Sequence, residues 1–510
     1  MRASKRRTQR AQIAQIALAQ IGPPQGLGKT FILVAGAALA CRMLRKTVAV
    51  LSSAATFAWS LHAAALGDVT IYDNAQSVPV GGRAAGMGGA YTALACDEGA
   101  LHYNPASLSC AAASHLELTA NAYVLQGIRA TGALGPGQNV SATTFHSIPS
   151  IVGAVHILSE GSERTFFDTY PKRLTFGFTV SVPTTVALKF ERPSSPGRNY
   201  ASSSIREDLT EGYLGLGYQF NKEISIGVAL GGAMRTSERH SSMLLVREHG
   251  TPCETGVCND FLSGEQDRSS FAIGAHAKVG ALIRPYRNLS FGLVLSAPTI
   301  HVYGHAVDSS TFTRADINGY SAIPTRAVGS SEVGLPTRIA FGFAFVKRRY
   351  TFSGDLSVNL PHRVRLAYDM KADPTAGLPT QSVPDRILSP NAQPNLNLGA
   401  SVPFGTTKEV NIGFFTDLSS VSQADIDDNG LSRVHMFGSS ISLGLLGKQA
   451  RAWIGASAEI GHTTLRTPGR SFTYERVAPL PAGNLPTDNE ATLTRWTVAG
   501  ILGSNYSFLE

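Results

Sequence analysis

From about residue 113 to its C-terminus the chain repeats one pattern, large apolar residues on one parity and Gly, Ser, Thr, Asn or charged residues on the other. Period two belongs to the β-strand, whose successive side chains point to opposite faces. Leu174, Phe176, Phe178, Val180 and Val182 alternate with Thr175, Gly177, Thr179 and Ser181. Ile224, Ile226, Val228 and Leu230 alternate in the same way with Ser225, Gly227, Ala229 and Gly231. The pattern returns over 271–282, 289–296, 339–345, 410–414, 437–445 and 496–508. It predicts about fourteen strands, near 113–126, 139–157, 172–190, 204–221, 222–241, 267–285, 287–303, 331–347, 348–370, 393–403, 408–420, 431–447, 449–466 and 490–508.

An even strand number lets a single-chain barrel begin and end on the same side of a membrane, and such barrels alternate short turns with long loops. Short turns are expected at 221–223, 285–288, 347–349, 404–408 and 447–449, and long polar loops at 242–266, 304–330, 371–392, 419–430 and 467–489. One turn, about 158–171, is longer than this alternation predicts. A soluble sandwich or propeller also alternates, but it charges its outer face heavily. Here the polar parity is mostly Gly, Ser, Ala and Thr, which suits a tightly packed lumen, and long strands need closure to hide their edges. The expected fold is all-β: a transmembrane antiparallel β-barrel of about fourteen strands, with an N-terminal hatch (plug) ahead of it.

Composition excludes other classes. Charged residues are 16% of the chain, yet beyond the first sixty residues no unbroken apolar run is long enough for a membrane helix. The formal charge of +8 does not point to nucleic acid, because residues 1–46 hold nine basic residues and no acid, leaving −1 for the remainder. That basic leader reads as an export signal: Arg45 and Lys46, then apolar Thr47 to Leu61, then the small residues Ala63, Ala64 and Ala65. The expected organisation is an upstream extension at 1–42 outside the natural protein, with Met43 the better start, a signal peptide at 43–65, the hatch at 66–112 and the barrel at 113–510. Gly22 to Thr30 imitates a phosphate loop, but Pro23 stands where that loop needs glycine. Cys41 after Ala38-Leu39-Ala40 imitates a lipoprotein site, but a complete signal follows it.

An exported chain meets an oxidising compartment, so Cys253 and Cys258 are one candidate disulfide and Cys96 and Cys110 another. These four cysteines have no neighbouring histidine pair, which argues against zinc, and no metal or other cofactor is expected. Asp425, Asp427 and Asn429 match the first half of a calcium loop, but Met436 stands where the bidentate glutamate belongs, so a surface turn is the better reading. Catalysis has no named nucleophile: no Gly-x-Ser-x-Gly elbow occurs, Ser457 and Glu459 lack a histidine, and His276 and Lys278 read as lumen-lining residues. No enzymatic activity is expected.

Residues 68–110 alternate poorly and are dense in Gly and Ala. Gly86, Gly88 and Gly89 permit close packing and positive φ, and a helical turn over 97–103 should stop at Asn104-Pro105, where Asn closes an Asx-turn and Pro disfavours helix before it. This run, with Met87-Gly88-Gly89-Ala90-Tyr91, Asp97 and Tyr103-Asn104-Pro105-Ala106, resembles the N-terminal hatch of the FadL/OmpP1/TodX family of outer-membrane transporters for hydrophobic compounds. The resemblance covers about 40 residues, and Ser107 stands where the family usually has glycine. It implies an outer-membrane channel for long-chain fatty acids or aromatic hydrocarbons, entered from outside, plugged by the hatch, and left sideways through a kink in an early strand. It implies outer-membrane lipid and a hydrophobic small molecule as partners, and no nucleic acid. Carried onto this chain, the hatch motif is Asn104, Pro105 and Ala106, and Pro183 is the candidate kink, since proline removes a ladder donor. A different reading is a structural or secretion-associated barrel that binds a protein partner through its external loops.

Overall fold

The computed structural model describes residues 70–74, 79–97, 99–131, 140–164, 169–193, 200–248, 259–316, 319–373, 385–429, 431–465 and 491–508. The strands are β1 (His115–Thr131), β2 (Val140–Arg164), β3 (Thr169–Pro193), β4 (Tyr200–Gln219), β5 (Ile224–Glu248) and β6 (Asn259–Tyr286). They continue as β7 (Leu289–Ser296), β8 (Ile300–Asp316), β9 (Gly319–Ser330), β10 (Arg338–Lys347), β11 (Tyr350–Asn359) and β12 (Val364–Ala372). The last six are β13 (Arg386–Leu388), β14 (Gln393–Phe404), β15 (Lys408–Asp417), β16 (Met436–Leu446), β17 (Ala450–Leu465) and β18 (Ala491–Ser507).

All lie in one antiparallel sheet that closes where β18 pairs with β1, His115 opposite Ser507. The eighteen pieces make fourteen wall strands, because β7–β8, β9–β10, β11–β12 and β13–β14 are each one strand interrupted at mid-height. The interruptions fall where Pro298, Pro336, Pro361 and Pro390 remove ladder donors.

Alternation follows from the two surroundings of a lipid-embedded wall. Leu214, Leu216, Ile226, Val228, Leu293, Phe341, Phe352, Ile412, Ile441 and Ile454 form an exposed apolar band, and their strand neighbours of the other parity are buried inside. Phe220, Tyr286, Tyr350, Phe404 and Tyr506 stand exposed beside the short turns, as the aromatic girdle of a barrel rim does. No described helix is long and apolar enough to cross a membrane.

The strands run longer than the alternation predicts. β2 reaches Arg164 and β3 starts at Thr169, so most of the expected turn 158–171 is strand. The expected loop 304–330 is largely the hairpin of β8 and β9, and 242–266 is shortened by β5 and β6. These extensions are rich in Ser, Thr and charge, because the requirement for an apolar outer parity ends with the lipid. Of the other expected loops, 467–489 lies outside the described residues.

Candidate functional site

The segment before β1 lies against the inward faces of the wall. It contains α1 (Gly82–Gly86), α2 (Ala100–Tyr103) and a 3-10 helix (Pro105–Cys110), joined by turns. α1 ends where Gly88 and Gly89 take φ of 64° and 75°, and Gly89 N–H returns to Ala84 O at 2.8 Å. A side chain at Gly88 would be strained, and its β-carbon would stand 2.9 Å from the Phe414 backbone nitrogen. At Gly86 a β-carbon would overlap the Ser442 side chain. Both constraints reflect one fact: this backbone runs directly against the wall.

Asn104 joins three pieces of structure. It is fully buried and extended, its Oδ1 accepts from Ala106 N–H at 3.1 Å, and its Nδ2 donates to Thr92 O at 2.9 Å and to Ala281 O of β6 at 3.1 Å. The Asx cap and the helix stop stand at the Asn-Pro step where they were expected; the bonds to Thr92 and to the wall are invisible in the local sequence. A disulfide joins Cys96 to Cys110 and closes the loop that contains this step. Cys253 and Cys258 lie outside the described residues.

The wall makes room with glycine. Gly177 pairs opposite Gly215, Gly217 opposite Gly227, Gly227 opposite Gly280, Gly292 opposite Gly342, and Gly399 opposite Gly413. A β-carbon at Gly227 would overlap the Pro105–Ala106 peptide, at Gly280 the Asn104 carboxamide, at Gly292 the Thr92 carbonyl, and at Gly413 the Gly88 nitrogen. The small parity residues of the strands thus form a ring, near the short-turn end, into which this segment's backbone fits.

Side chains of the ring's height hold that backbone. Asp355 Oδ2 accepts from Tyr91 and Thr92 N–H, both at 2.8 Å, while Ser353, Ser440 and Ser290 donate to Ala90, Gly86 and Ala93 carbonyls at 2.8, 3.1 and 3.1 Å. Glu409 meets Arg83 at 3.2 Å. Lys278 Nζ lies 3.2 Å from His102 O and 3.5 Å from Glu211, and the Tyr213 hydroxyl lies between Glu211 and His276. Burial, then the Lys278 cation, pushes His102 down to about 3, so its contact with Glu211 is that of a neutral imidazole at pH 7.

Above this ring sits a second, apolar layer. Ile71 and Tyr72 pack with Val186, Leu188, Ile205, Leu209, Val333, Val364, Leu366, Leu388, Val421 and Leu431. The strap Thr70–Asn74, a turn in which Asp73 N–H returns to Thr70 O, is tied down by Ile71 N–H to Glu207, Ser420 N–H to Asp73 O, Ser420 Oγ to Tyr72 O, and Asn74 Nδ2 to Asp417 O. Burial lifts the Asp73 carboxyl to about 7, opposed in part by Arg495 and by the Thr70 N–H. Glu207 and Arg235 form a buried ion pair at 2.5 Å beside Tyr72.

Pro183 lies in β3 at a register shift against β4 between Ser181 and Thr184. On its other side, the described ladder between β2 and β3 ends at Ile151 opposite Ser181. Pro183–Leu188 are buried at six consecutive positions, so β3 here has left the alternating wall and leans into the lumen. Val186 and Leu188 are the two members of the apolar layer that this bend contributes.

The surface-turn reading of this segment is corrected: Asp425 is buried. Residues 423–429 are α3 (Gln423–Asn429), not an open loop, and Asp425 turns its carboxylate inward to accept from Ser422 N–H, Ser422 Oγ and Ser389 N–H. Asn429 donates to Ile387 O, and the Asp427 side chain lies outside the described residues. Among the described residues, His240, Glu265 and Asp267 are close enough to share an ion, but they lie on the exposed outer stretch of β5 and β6, with His240 already 2.7 Å from Asp267.

No family model matches the chain, and no curated protein matches it by sequence. Solved structures do match by fold. The toluene transporter TodX of Pseudomonas putida superposes with a TM-score of 0.56 at 13% identity, over 86% of this chain and 100% of that one. The toluene transporter TbuX of Ralstonia pickettii gives 0.51 at 14% identity, over 84% and 99%. A FadL homologue of Pseudomonas aeruginosa gives 0.55 at 14% identity, over 85% and 100%. The chain has the closed fourteen-stranded outer-membrane barrel fold of these proteins.

Proposed function

We propose that this protein is an outer-membrane channel for hydrophobic small molecules, admitting them from the external mouth and releasing them sideways into lipid. The carrying observation is the apolar layer around Ile71, Tyr72, Val186 and Leu188, which adjoins the place where β3 parts from β2. A channel for polar solutes would line this height with charge; here the buried charges, such as Glu207 and Arg235, neutralise one another. The structural neighbours named toluene transporters support the same cargo class. Toluene-sized aromatics and long-chain acyl compounds both suit an apolar layer, and the reaction is passage, not chemistry.

In this reading the segment carrying Gly86, Gly88, Gly89, Asn104, Pro105 and Ala106 is a plug that shuts the short-turn end, and Pro183 is the kink that starts the side exit. Pro183 has no N–H to offer a neighbour, so the ladder cannot be completed through it. The test is uptake of toluene and of a fluorescent long-chain fatty acid by liposomes containing the full-length barrel. Uptake above that of empty liposomes, lost when a disulfide staples β2 to β3 above Ile151, is the expected result. Absence of uptake for both probes overturns the proposal.

A further inference from the structure

Above Ile151 and Ser181 the two neighbouring strands follow different partners. β2 stays on β1 as far as Val140 opposite Ala130, and β3 stays on β4 as far as Pro193 opposite Tyr200. A strand that leaves a ladder bares a row of N–H and C=O groups, and buried peptide groups need partners. One side chain of β1 supplies two of them. Gln126 is buried, its Nε2 donates to Thr185 O at 3.0 Å, and its Oε1 accepts from Ala187 N–H at 3.1 Å.

The match is chemical as well as geometric. A carbonyl and an N–H two residues apart on one edge are what a single residue of a facing parallel strand would engage, and a primary amide carries the same complementary donor and acceptor. Leucine would offer neither, and a glutamate carboxylate would offer no donor. Gln126 keeps its own backbone opposite Thr144 of β2 while its side chain reaches β3, so it connects β1 to β3 across the parted pair. On the far side of the bend, the Thr185 hydroxyl donates to Asp208 at 2.8 Å.

We infer that Gln126 is a latch, a positioning residue that holds β3 in its inward bend and thereby keeps the wall open between β2 and β3. Without the amide, Thr185 O and Ala187 N–H lose their partners, and β2 is the strand that can replace them, by pairing with β3 beyond Pro183. The latch rests on the geometry alone; its consequence for transport rests on the channel reading.

The experiment measures the gap and the passage separately. Nitroxides are placed on Thr143→Cys of β2 and Lys189→Cys of β3, both exposed, in the full-length barrel in liposomes, with Cys253 and Cys258 changed to Ser. Gln126→Leu, which keeps the volume, is expected to shorten the inter-label distance and to lower toluene uptake about tenfold, the scale on which losing a buried hydrogen-bond pair shifts a two-state equilibrium. Should that variant fail to insert, Gln126→Glu at pH 8 removes the same donor and carries the same expectation. An unchanged distance overturns the latch, whatever the uptake. A shortened distance with unchanged uptake overturns its role in passage. A shortened distance in a barrel whose unsubstituted form takes up neither toluene nor fatty acid keeps the latch and removes the channel reading instead.

Discussion

Replacing Asn104 by alanine should release the plug while leaving the barrel closed. The substitution deletes three hydrogen bonds, to Ala106 N–H, Thr92 O and Ala281 O, at a position with no solvent exposure. At about 1 kcal/mol net for each bond, with more where a buried partner is left unpaired, the loss is about 3–5 kcal/mol. The barrel is held by backbone ladders that Asn104 does not join, so the loss falls on the docking of residues 79–111. Hydrogen exchange by mass spectrometry reads this directly: plug peptides should exchange at least about 100-fold faster, the ratio that 3 kcal/mol represents, with wall peptides unchanged. Asn104→Asp separates the contributions. It keeps the acceptor for Ala106 N–H but sets a carboxylate against two carbonyl oxygens, so above pH 7 it should loosen the plug at least as far as alanine does. Plug exchange within threefold of the unsubstituted protein for both variants would refute the reasoning.

Three further outcomes follow from the same contacts. Gly227→Val should push the Pro105–Ala106 peptide off the wall and raise plug exchange without preventing barrel closure, checked by exchange and by heat-modifiable gel mobility. Removing the Cys96–Cys110 disulfide as a Ser pair opens a loop of sequence separation 14, worth about 3 kcal/mol of plug order, and should raise exchange at 97–109 by about 100-fold. With pH the strap and the plug should respond in opposite senses. Asp73 has a raised pKa when docked, so strap docking is fullest below about 3.9 and weakens as pH rises through about 7. His102 has a lowered one, so plug docking is fullest above about 6.5 and weakens as pH falls toward about 3. Exchange corrected for its intrinsic pH dependence should show the strap protected at pH 5 and the plug protected at pH 8; parallel behaviour would contradict both assignments.

The wall was legible because the bilayer writes it into every strand. Ile226, Val228 and Leu230 must face lipid, and no local preference competes with that requirement. Strand ends beyond the lipid were not legible, since Ser309, Ser310 and Thr311 in β8 need only satisfy water and the ladder, and so resemble a loop. The Asn104-Pro105 stop was legible because an Asx cap is local. The glycines of the ring were visible only as small residues on the inward parity. Their purpose depends on the register of five strand pairs, which sets Gly292 beside Gly342 and Gly399 beside Gly413. Gln126 was invisible for the same reason: in sequence it is one polar residue on β1, and its partners lie at Thr185 and Ala187 on a strand that is not its neighbour in the ladder.

If the channel proposed above carries apolar molecules, the two layers of its interior favour a sideways path over a downward one, and magnitudes argue for it. To pass the ring, a molecule must displace a segment held to the wall by at least six hydrogen bonds, its backbone to Asp355 twice, Ser353, Ser440 and Ser290, and the Asn104 side chain to Ala281 O. At about 1 kcal/mol each, that is about 6 kcal/mol, leaving an undocked plug about once in 10⁴ to 10⁵ molecules. Leaving between β2 and β3 breaks no ladder among the described residues above Ile151, because none is formed there. An apolar molecule resting on Val186 and Leu188 already touches the strand that bends away. In the proposed channel, then, the way down is closed by hydrogen bonds whose donors and acceptors an apolar molecule cannot replace, whereas the way out through the wall breaks no ladder and displaces side chains, the Gln126 amide with its two bonds to β3 among them.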